Sequence, residues 1–586
     1  MVRLSNVGIT AALAAILLLT VAVFVSLTIY SGNVSEFSIA WPWLLVTYLP
    51  YVTIAVLALA LPGAFLGKDA LSRYWAVLAA LGCLAWLQGN ILVWNYGALD
   101  GRSIAWTAGA WRGVLDAAIW IGVLTVAVRF YTRFGRTLVM CAIAVFAMQT
   151  VGAALTLVSG NGELLVREDV FAEPENTASI FELSDKANVV HIVMDGFQTD
   201  IFRNILDGEH GDSIIDELRG FTLFEQNLGA YPYTQLTIPA LLTGKLYRNE
   251  VPMDDFVEAA LRGDTILGAA LDAGYEVDIA APIGIGNVYS AARHTNLYGI
   301  TPGFSFNRDD IVALESAKLA DLALFRVVPH FVKALVHRDE LWIFQARARS
   351  EEYLHIQYFS DVAFLNQMAE NLSVGRSSPV YKLIHVMLAH KPTVGTASCK
   401  YAGRQPTTRE TVVEHATCGL LRVAAILRKM KELGAYDNSL IVLMADHGAW
   451  VPIDGFQGHE TSAAEITAMT VAMASPMLAA KPPAATGALQ VSGKPTSIID
   501  VPATIANILG VDSSFPGNPA FGALAGEERD RFHALYGFGN NPDAPGYLFP
   551  MQEFRVSGDS HDASNWHIGS LHLPGSRGSS SQSANR

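Results

Sequence analysis

The stretch SLIVLMADHG, residues 439–448, is an apolar run that ends in an acid, a histidine and a glycine. The stretch NVVHIVMDG, residues 188–196, repeats the pattern and ends with Asp195 before a glycine. Both runs are apolar on their two faces, which is typical of strands buried inside a parallel sheet. In open parallel sheets ligands bind beyond the carboxyl ends of the strands, where Asp195, Asp446 and His447 fall. The two stretches therefore predict an α/β domain with a site at this edge of the sheet.

From about residue 185 onward, short apolar and β-branched runs alternate with amphipathic stretches. This alternation predicts a mainly parallel sheet with covering helices. Apolar residues at helical spacing predict one such helix over 411–433, with Gly434 as its C-cap. Three further runs are interpreted as strands: YEVDIA (275–280), YKLIHVML (381–388) and TAMTVAMA (467–474).

The apolar excess of the 586-residue chain, of which 51% is hydrophobic, is concentrated in the first 160 residues. Five runs there are long enough to cross a hydrocarbon core of roughly 30 Å. The first run is too long and too uniform for a cleaved secretory signal, so we expect it to remain as an anchor. The five runs lie near residues 8–30, 42–66, 74–95, 113–131 and 136–158.

The first 160 residues also hold eight of the eleven tryptophans, several at predicted span ends. This placement indicates an aromatic belt at the membrane surface. The alternative is that Trp106 and Trp111, in the loop after the third span, help to hold a lipid headgroup.

Basic residues predict the orientation of the spans, because positively charged loops stay in the cytoplasm. Arg102 and Arg112, after the third span, weaken the asymmetry. With the N-terminus inside and five spans, everything after residue 160 lies outside. The basic residues on the inner side are Arg3, Lys68, Arg73, Arg129, Arg133 and Arg136.

We therefore expect a five-span transmembrane domain (1–160), a connector (161–185), an extracytoplasmic catalytic domain (186–572) and a disordered tail (573–586). The tail is of low complexity and has nothing to bury. A net charge of −14 without a basic stripe argues against a nucleic-acid partner. No G-x-G-x-x-G or P-loop is present, so a nucleotide cofactor is discounted.

Cysteine use fits an external domain. Cys399 and Cys418 lie in the soluble part and can pair in an oxidising compartment, so we expect a disulfide between them. Cys83 and Cys141 lie in spans and are interpreted as small apolar residues.

A divalent ion needs carboxylate and imidazole ligands converging from different strands. Asp195, Asp446 and His447 offer such a set, although Asp195 by itself could equally be a helix cap. His191 in mid-strand and His415 in mid-helix are expected to be structural. Three more histidines are candidates near this set: His385 and His390 in HVMLAHKP, and His459 in GFQGHE.

The stretch YPYTQLTIPALLTGK, residues 231–245, places Thr234 and Thr237 ahead of a short helical run. Either hydroxyl could cap the helix. Thr234 would lie at the helix N-terminus, where free N–H groups and the helix dipole favour an anion. Beside a metal ion its pKa would fall, which suits attack on phosphorus. Thr237 is expected to face the helix packing one turn later.

These motifs resemble the alkaline phosphatase and sulfatase superfamily: a strand ending in DG, a segment ending in LLTG, and a later strand ending in DHG. The stretch GKPTSIIDVPATIANILGVD (493–512) resembles that superfamily's C-terminal part, and the resemblance covers about residues 185–515. Aligned with the sulfatase nucleophile motif, Thr234 replaces the Cys or Ser that becomes formylglycine. The supporting Arg is also absent, so a true sulfatase is disfavoured.

Two motifs are similar to those of the membrane-bound phosphoethanolamine transferases. They are T-x-x-T-x-P followed by LLTG, and the segment HVMLAH. Five spans before an external catalytic domain are also the plan of the phosphoglycerol transferases that make lipoteichoic acid. Both groups present Glu where this chain has Asp195, which leaves the transferred headgroup open.

The resemblance implies one or two divalent ions, zinc or manganese. It also implies that His390 and His459 meet a second metal or the substrate phosphate. His385 and Lys391 are candidate anion contacts, although a hydrogen-bonded core histidine and a solvated lysine fit these positions as well. The first metal would be held by Asp195, Thr234, Asp446 and His447.

The implied reaction has two steps. Thr234 takes a phospho-headgroup from a membrane phospholipid, and an envelope glycan or glycolipid then accepts it. The protein would be a multi-pass protein of the bacterial cytoplasmic (inner) membrane, with its catalytic domain on the periplasmic side. The alternatives are a hydrolase of the same superfamily, acting as a phosphodiesterase or phosphatase, and a catalytically inactive membrane-tethered lipid sensor.

Overall fold

A computed structural model describes most of the chain. It divides into two compact units: Met1–Glu173 with Phe306–Leu354, and Pro174–Ser305 with His355–Arg586. The residues described are 2–34, 37, 39–96, 104, 106, 110–159, 164–166, 177–282, 284–300, 308–338, 342–349, 355–456, 466–511, 515–521, 529–539, 541 and 543–576.

The first unit contains five helices that are long and apolar enough to cross a membrane, as the sequence predicts. Their lengths of 20 to 29 residues suit a hydrocarbon core of roughly 30 Å. The first helix contains a π-helical turn over Thr20–Val25. The five helices are Leu4–Gly32, Trp41–Phe65, Lys68–Asn90, Ala110–Arg129 and Tyr131–Ser159.

Residues 306–354 cluster with these spans, although their position in the sequence lies within the predicted catalytic domain. Asp116 of the fourth span is fully buried and explains part of this packing. One of its carboxylate oxygens accepts from Gln88 Nε2 at 3.1 Å and from the backbone N–H of His330 at 2.9 Å. The other oxygen accepts from Trp94 Nε1 at 3.0 Å. The helices of this segment are Arg308–Val327, His330–His337 and Gln345–Ala348.

The second unit is the α/β domain that the sequence predicts. Its fifteen described strands are β1 (Glu182–Ser184), β2 (Asn188–Met194), β3 (Thr222–Phe224), β4 (Asn227–Leu228), β5 (Glu276–Ala281), β6 (Asn296–Gly299), β7 (Ser373–Arg376), β8 (Val380–Val386), β9 (Ser439–Met444), β10 (Leu478–Lys481), β11 (Gln490–Ser492), β12 (Thr496–Ser497), β13 (Arg531–Leu535), β14 (Met551–Val556) and β15 (Trp566–His572).

Eight of these strands form the main sheet in the order β11-β3-β10-β9-β2-β8-β5-β6. All its pairings are parallel except the two made by β10, so the sheet is mainly parallel. The central strand β2 sends Val190 and Ile192 into the core on one face and Val189 and Val193 into the core on the other. Burial of both faces explains why the run is apolar throughout.

Helices cover both faces of this sheet. The predicted helix 411–433 runs from Arg409 to Glu432, and Gly434 adopts a φ of 70°, as expected of a C-terminal cap. The α-helices of the unit are Thr199–Leu206, Gly211–Ile215, Thr234–Thr243, Met253–Arg262, Ile266–Asp272, Gly286–Tyr289, Ile356–Asn371, Arg409–Glu432, Ala468–Met473 and Asp500–Leu509.

One predicted strand is wrong. The run TAMTVAMA contains the helix Ala468–Met473 rather than a strand. Thr467 and Thr470 form a reciprocal capping box, in which the side chain of each accepts the backbone N–H of the other. A short apolar run does not distinguish a strand from a buried helix, and here the cap decides. The strand beside β9 is instead β10, which follows this helix.

The sequence does not predict the three-stranded antiparallel sheet that β13, β14 and β15 form after the sulfatase-like motifs. Within the predicted connector, Thr177–Phe181 forms a 3-10 helix and β1 pairs with β7. Most of the predicted tail lies outside the described residues.

Candidate metal centre and nucleophile

Three neighbouring parallel strands carry the candidate site at their carboxyl ends. Asp195 directly follows β2, Asp446 lies two residues beyond β9, and His385 is the penultimate residue of β8. Parallel pairing of β2 with both β8 and β9 brings these ends together. All three side chains are fully buried. The three residues thus lie beyond the carboxyl ends of parallel strands, where the sequence predicts a site.

Asp195 and Asp446 each have one carboxylate oxygen that accepts hydrogen bonds and one that has no hydrogen-bond partner. Asp446 Oδ1 accepts the backbone N–H groups of Gly196 at 3.1 Å and His447 at 2.9 Å. Asp195 Oδ2 accepts from Thr234 Oγ1 at 3.2 Å and lies 3.1 Å from His385 Nε2. Asp195 Oδ1 and Asp446 Oδ2 are buried without a hydrogen-bond partner. An unpartnered buried carboxylate oxygen is costly, so both oxygens are suited to a cation.

His447 presents a lone pair to the same place. Its Nδ1 donates to the carbonyl of Gly448 at 2.9 Å, which fixes the tautomer that carries the proton on Nδ1. Its Nε2 then lies 3.4 Å from Asp195 Oδ1, 3.5 Å from Asp446 Oδ2 and 3.4 Å from Thr234 Oγ1. With this orientation, Nε2 presents a lone pair that is suited to a metal ion.

The charge on Asp195 is maintained by its surroundings. Burial raises the pKa of this carboxyl, but His390, His385 and His447 together outweigh burial and hold the pKa well below its ordinary value. Burial lowers the pKa of His390, although Asp195 acts in the opposite direction. The surroundings therefore favour a carboxylate beside neutral imidazole, which is the form that binds a metal.

Two groups of side chains in the described part of the chain could each hold an ion, with their ligand atoms all within 4.8 Å of one another. One is Asp195, His390 and His447, and the other is Asp195, His385 and Asp446. Carboxylate and imidazole ligands of this kind suit zinc or manganese. Together with the two unpartnered carboxylate oxygens, the residues present fit a divalent cation.

Thr234 is the first residue of the helix Thr234–Thr243 and is only half-buried. Its hydroxyl contacts Asp195 and His447 and does not cap the helix. Thr237, by contrast, is fully buried and donates to the carbonyl of Tyr233 at 3.0 Å. Of the two threonines, Thr234 is thus the one whose hydroxyl faces the candidate metal ligands Asp195 and His447. The helix ends at Gly244, which has a φ of 70°.

Two glycines allow this close assembly. Gly196 has a φ of 69°, and a Cβ there would lie 3.5 Å from the Cα of His390 and 3.7 Å from His447 Cε1. A Cβ on Gly448 would lie 1.8 Å from the carbonyl oxygen of Ala472. The DG and DHG motifs therefore need glycine for backbone conformation at one position and for space at the other.

His390, Lys391 and Trp450 form one wall of the site. His390 Nε2 lies 3.8 Å from Asp195 Oδ1, and its side chain is 21% exposed. The ring of Trp450 meets His390 and His447 edge to face, with centroids 4.9 and 5.0 Å apart. Lys391 Nζ lies 4.0 Å from the centroid of the Trp450 ring. The predicted anion contact Lys391 therefore lies beside the candidate metal ligands His390 and His447.

The predicted anion contact His385 lies in the protein interior. It is fully buried, and its two ring nitrogens bond Asp195 and the hydroxyl of Tyr289, the latter at 2.8 Å. Both contacts are internal, so His385 orients Asp195 or joins it in holding an ion. Burial, reinforced by the charges of Asp446 and Asp195, raises the pKa of Tyr289 well above its ordinary value.

Sequence reasoning missed Trp450 and Tyr289. Trp450 is one of three tryptophans after residue 160 and lies two residues beyond the DHG motif, and this position was the signal in the sequence. Tyr289 is the last residue of the short helix Gly286–Tyr289, and nothing in its local sequence pattern points to the site.

The remaining predicted residues lie as follows. His459 lies outside the described residues. His191 is 2.9 Å from the hydroxyl of Tyr381, and His415 Nδ1 accepts the N–H of Gly395 at 3.1 Å, so both are internally bonded. Cys399 and Cys418 form a disulfide that joins the loop after β8 to the helix Arg409–Glu432.

The sulfatase family matches residues 187–511. Among solved structures, the chain is similar to i-CgsB in complex with k-i-k-neocarrahexaose, at 15% identity and a TM-score of 0.40, over 64% of this chain and 84% of that one. It is similar to the phosphonate monoester hydrolase SpPMH from Silicibacter pomeroyi, at 14% identity and a TM-score of 0.38, over 64% and 87%. It is also similar to the lipoteichoic acid synthase LtaP from Listeria monocytogenes, at 12% identity and a TM-score of 0.35, over 69% and 91%. No curated protein matches the chain.

Proposed function

Because the chain belongs to the sulfatase family, we propose that it transfers a phospho-headgroup, phosphoethanolamine or phosphoglycerol, from a membrane phospholipid through a phosphothreonine to an envelope glycan or glycolipid. The observation that carries the proposal is the place of Thr234. Its Oγ1 lies 3.2 Å from Asp195 Oδ2 and 3.4 Å from His447 Nε2, at the start of a helix.

The residue types at this place favour phosphoryl over sulfuryl chemistry. In a sulfatase the nucleophile is made from Cys or Ser, whereas the aligned residue here is Thr234. A threonine hydroxyl attacks phosphorus directly when its proton is accepted and the negative charge is stabilised. Thr234 donates its hydroxyl hydrogen toward Asp195 Oδ2, and the first N–H groups of the helix are free to face an anion.

Asp195, Asp446, His447 and Thr234 would hold one divalent cation, and His390 with His459 would meet a second cation or the phosphate. A bound cation supplies Lewis-acid chemistry, which lowers the pKa of a neighbouring hydroxyl and stabilises charge on phosphoryl oxygens. Lys391, held over Trp450, adds a positive charge on the side of His390.

The proposed reaction balances in two displacements. The oxygen of Thr234 forms a bond to phosphorus while the bond from phosphorus to the diacylglycerol oxygen breaks, and the proton lost from Thr234 ends on diacylglycerol. An acceptor hydroxyl then attacks the same phosphorus, and its proton returns to Thr234. Holding the site near a bilayer raises the effective concentration of the lipid donor.

The membrane placement belongs to the same proposal. Five spans, with basic residues in the loops expected inside, would put the catalytic unit on the periplasmic side of the bacterial inner membrane. That side holds both the phospholipid donor and the envelope acceptor.

The test compares Thr234→Ala with Thr237→Ala in the full chain, supplied with labelled phospholipid. Both substitutions remove a threonine hydroxyl from the same helix, but only Thr234 faces Asp195. We expect Thr234→Ala to abolish diacylglycerol release and the mass adduct on the peptide that contains residue 234. Thr237→Ala should retain both.

Undiminished diacylglycerol release by Thr234→Ala would rule out this nucleophile. Products separate transfer from hydrolysis: label on an added glycan or glycolipid supports transfer, whereas release of a free phospho-headgroup identifies a hydrolase. A chain that forms no adduct and releases no diacylglycerol, even with zinc or manganese present, would be the inactive sensor.

A further inference from the structure

A cavity of about 240 Å³ lies within the membrane unit, between the first, third and fifth spans. Apolar side chains such as Phe24, Trp86 and Met148 contribute to its lining. Five residues that line it carry polar side-chain atoms, among them the indole N–H of Trp86: Thr28, Trp86, Asn90, Gln149 and Thr156. We call this cavity the span groove. Polar groups inside a membrane-spanning unit are costly unless they serve packing or a ligand.

The span groove lies toward one side of the bilayer. Thr28 is four residues before the end of the first span at Gly32, and Asn90 is the last residue of the third. Gln149 is ten residues before the end of the fifth span at Ser159, or about 15 Å at the helical rise. Because the first, third and fifth spans cross in the same direction, these ends share one side of the membrane. The chain leaves the fifth span on that side.

Hydrogen bonds fix the orientation of the Gln149 amide. The hydroxyl of Thr20 donates to the carbonyl of Ile16 at 2.8 Å, so toward Gln149 it can only accept. Gln149 Nε2 is therefore the atom that faces Thr20, at 3.1 Å. The amide oxygen, Gln149 Oε1, is left buried without a hydrogen-bond partner. In hydrocarbon, such an oxygen calls for a donor.

The other polar groups of the groove also offer acceptors. The hydroxyls of Thr28 and Thr156 donate to carbonyls within their own helices, at 2.9 and 3.0 Å, and so present only lone pairs. Asn90 Nδ2 donates one hydrogen to the carbonyl of Trp86 at 2.9 Å, so Asn90 offers its second N–H as well as its amide oxygen. An ester or phosphate oxygen of a lipid has no hydrogen to give to Gln149 Oε1 or to the two threonine hydroxyls. A lipid hydroxyl does.

The first span is locally widened at the groove. Its π-helical turn over Thr20–Val25 contains Phe24 and Val25, which line the cavity, and begins at Thr20, the partner of Gln149. Single π-helical turns interrupt the regular ladder and are frequent at functional sites. This turn is an independent feature of the same place.

We propose that the span groove binds diacylglycerol, with part of one acyl chain along Phe24 and Met148 and the free glycerol hydroxyl donating to Gln149 Oε1. With a volume of about 240 Å³ the cavity takes only part of the lipid, so the rest of the lipid stays in the bilayer. Lipids with hydroxyls only in a phosphate headgroup hold them in the headgroup layer, above the depth of Gln149. Among hydroxyl lipids, the choice of diacylglycerol rests on the proposed function, which releases it.

The test uses the full chain in phosphatidylcholine nanodiscs with a diacylglycerol that carries a photoactivatable diazirine in one acyl chain. A triacylglycerol with the same chain is the matched probe, because its third hydroxyl is esterified. We expect the diacylglycerol to label the span segments around residues 24, 86 and 149 about fivefold more than the triacylglycerol, as one hydrogen bond predicts. Gln149→Leu should remove this preference.

Gly152→Phe tests the groove by filling it. A Cβ on Gly152 meets no atom within 4 Å, so the larger side chain enters open space without a clash. Gly122→Phe is the matched control, since Gly122 has the same open surroundings on the fourth span and does not line the groove. We expect about a tenfold loss of labelling for Gly152→Phe and no change for Gly122→Phe.

Equal labelling by the two probes, or labelling that survives Gly152→Phe, would overturn the proposal. The readout needs no turnover, so Thr234→Ala should label like the unaltered chain. A failed nucleophile with intact labelling would contradict the proposed transfer and leave the lipid site standing. Lost labelling with an intact adduct on Thr234 would contradict the lipid site and leave the proposed transfer standing.

Discussion

Asp446→Asn separates the two roles that a carboxylate at the end of β9 can have, a backbone cap and an ion ligand. Asparagine keeps an oxygen for the N–H groups of Gly196 and His447, which lie 3.1 and 2.9 Å from Asp446 Oδ1. What it removes is the charge and the second oxygen, Oδ2, which is buried without a partner. The substitution therefore leaves the cap and deletes the ligand.

The magnitude follows from that unpartnered oxygen. Without metal, the substitution replaces an unsatisfied buried acceptor with an amide NH2 that can donate toward His447 Nε2, which lies 3.5 Å from Oδ2, and this should raise the free energy of unfolding by about 1–3 kcal/mol. With free zinc at 100 times the dissociation constant, the unaltered chain should gain about 2.7 kcal/mol. If loss of the ligand weakens binding about 100-fold, the same zinc concentration stabilises Asp446→Asn by only about 0.4 kcal/mol. The variant should thus be more stable without metal and nearly insensitive to zinc.

The assay is urea unfolding of the full chain in detergent, with and without zinc, read by hydrogen exchange of the β2 and β9 amides. Asp361→Asn is a matched control, because Asp361 is also fully buried, has one unpartnered oxygen, and accepts the N–H of Met387 at 2.5 Å. Burial, reinforced by the charge of Asp195, raises the pKa of Asp361 well above its ordinary value, which favours the neutral form of this carboxyl. We expect Asp361→Asn to keep the full zinc response.

A zinc response in Asp446→Asn equal to that of the unaltered chain would refute the ligand role. So would a metal-free variant less stable than the unaltered chain, because Oδ2 would then be engaged in the fold itself. Either result would leave Asp446 as a structural cap.

Three further predictions rest on other residues of the site and its surroundings. His385→Gln should weaken zinc binding about 10- to 100-fold in calorimetric titration because it loosens Asp195, and Tyr289→Phe should cost less, about fivefold. Trp450→Ala should weaken zinc binding about tenfold by uncovering His390 and His447, whereas Trp450→Phe, which keeps a ring, should stay near the unaltered value. Burial lowers the pKa of His415 from 6.5 to about 4, so its neutral form stabilises the fold above pH 6.5, and up to about 3 kcal/mol should be lost as the pH falls from 6.5 to 4. Urea unfolding against pH should show a shallower fall for His415→Gln; an unchanged slope would contradict this assignment.

Most of the sheet and of the site could be predicted because both depend on short-range patterns. A strand buried on both faces must be apolar throughout, and an acid at its end marks the carboxyl edge of the sheet. Asp195, Asp446 and His447 follow from these two rules alone. Thr234 is different: its hydroxyl can cap a helix or face the strands, and only the three-dimensional arrangement chooses between them.

What the sequence did not predict depends on contacts between distant segments. Trp450 reaches His447 from a loop, and Tyr289 reaches His385 from the end of a four-residue helix. Neither segment is long enough for a periodicity that would report the direction of the side chain. The run 467–474 has the composition of a strand, and a capping box makes it a helix. The packing of 306–354 with the membrane spans depends on single polar contacts such as that between Asp116 and the backbone of His330.

The two carboxylates are each fixed in a way that suits them to hold an ion. Each is fixed through one oxygen: Asp446 by two backbone N–H groups, and Asp195 by Thr234 and His385. Each therefore keeps its other oxygen at a set position, free of hydrogen bonds. Because these contacts leave Asp195 Oδ1 and Asp446 Oδ2 open, little reorganisation of the two carboxylates is needed on loading. The hydroxyl of Thr234 belongs to the orienting set, so loading the site would change the environment of the proposed nucleophile at the same time.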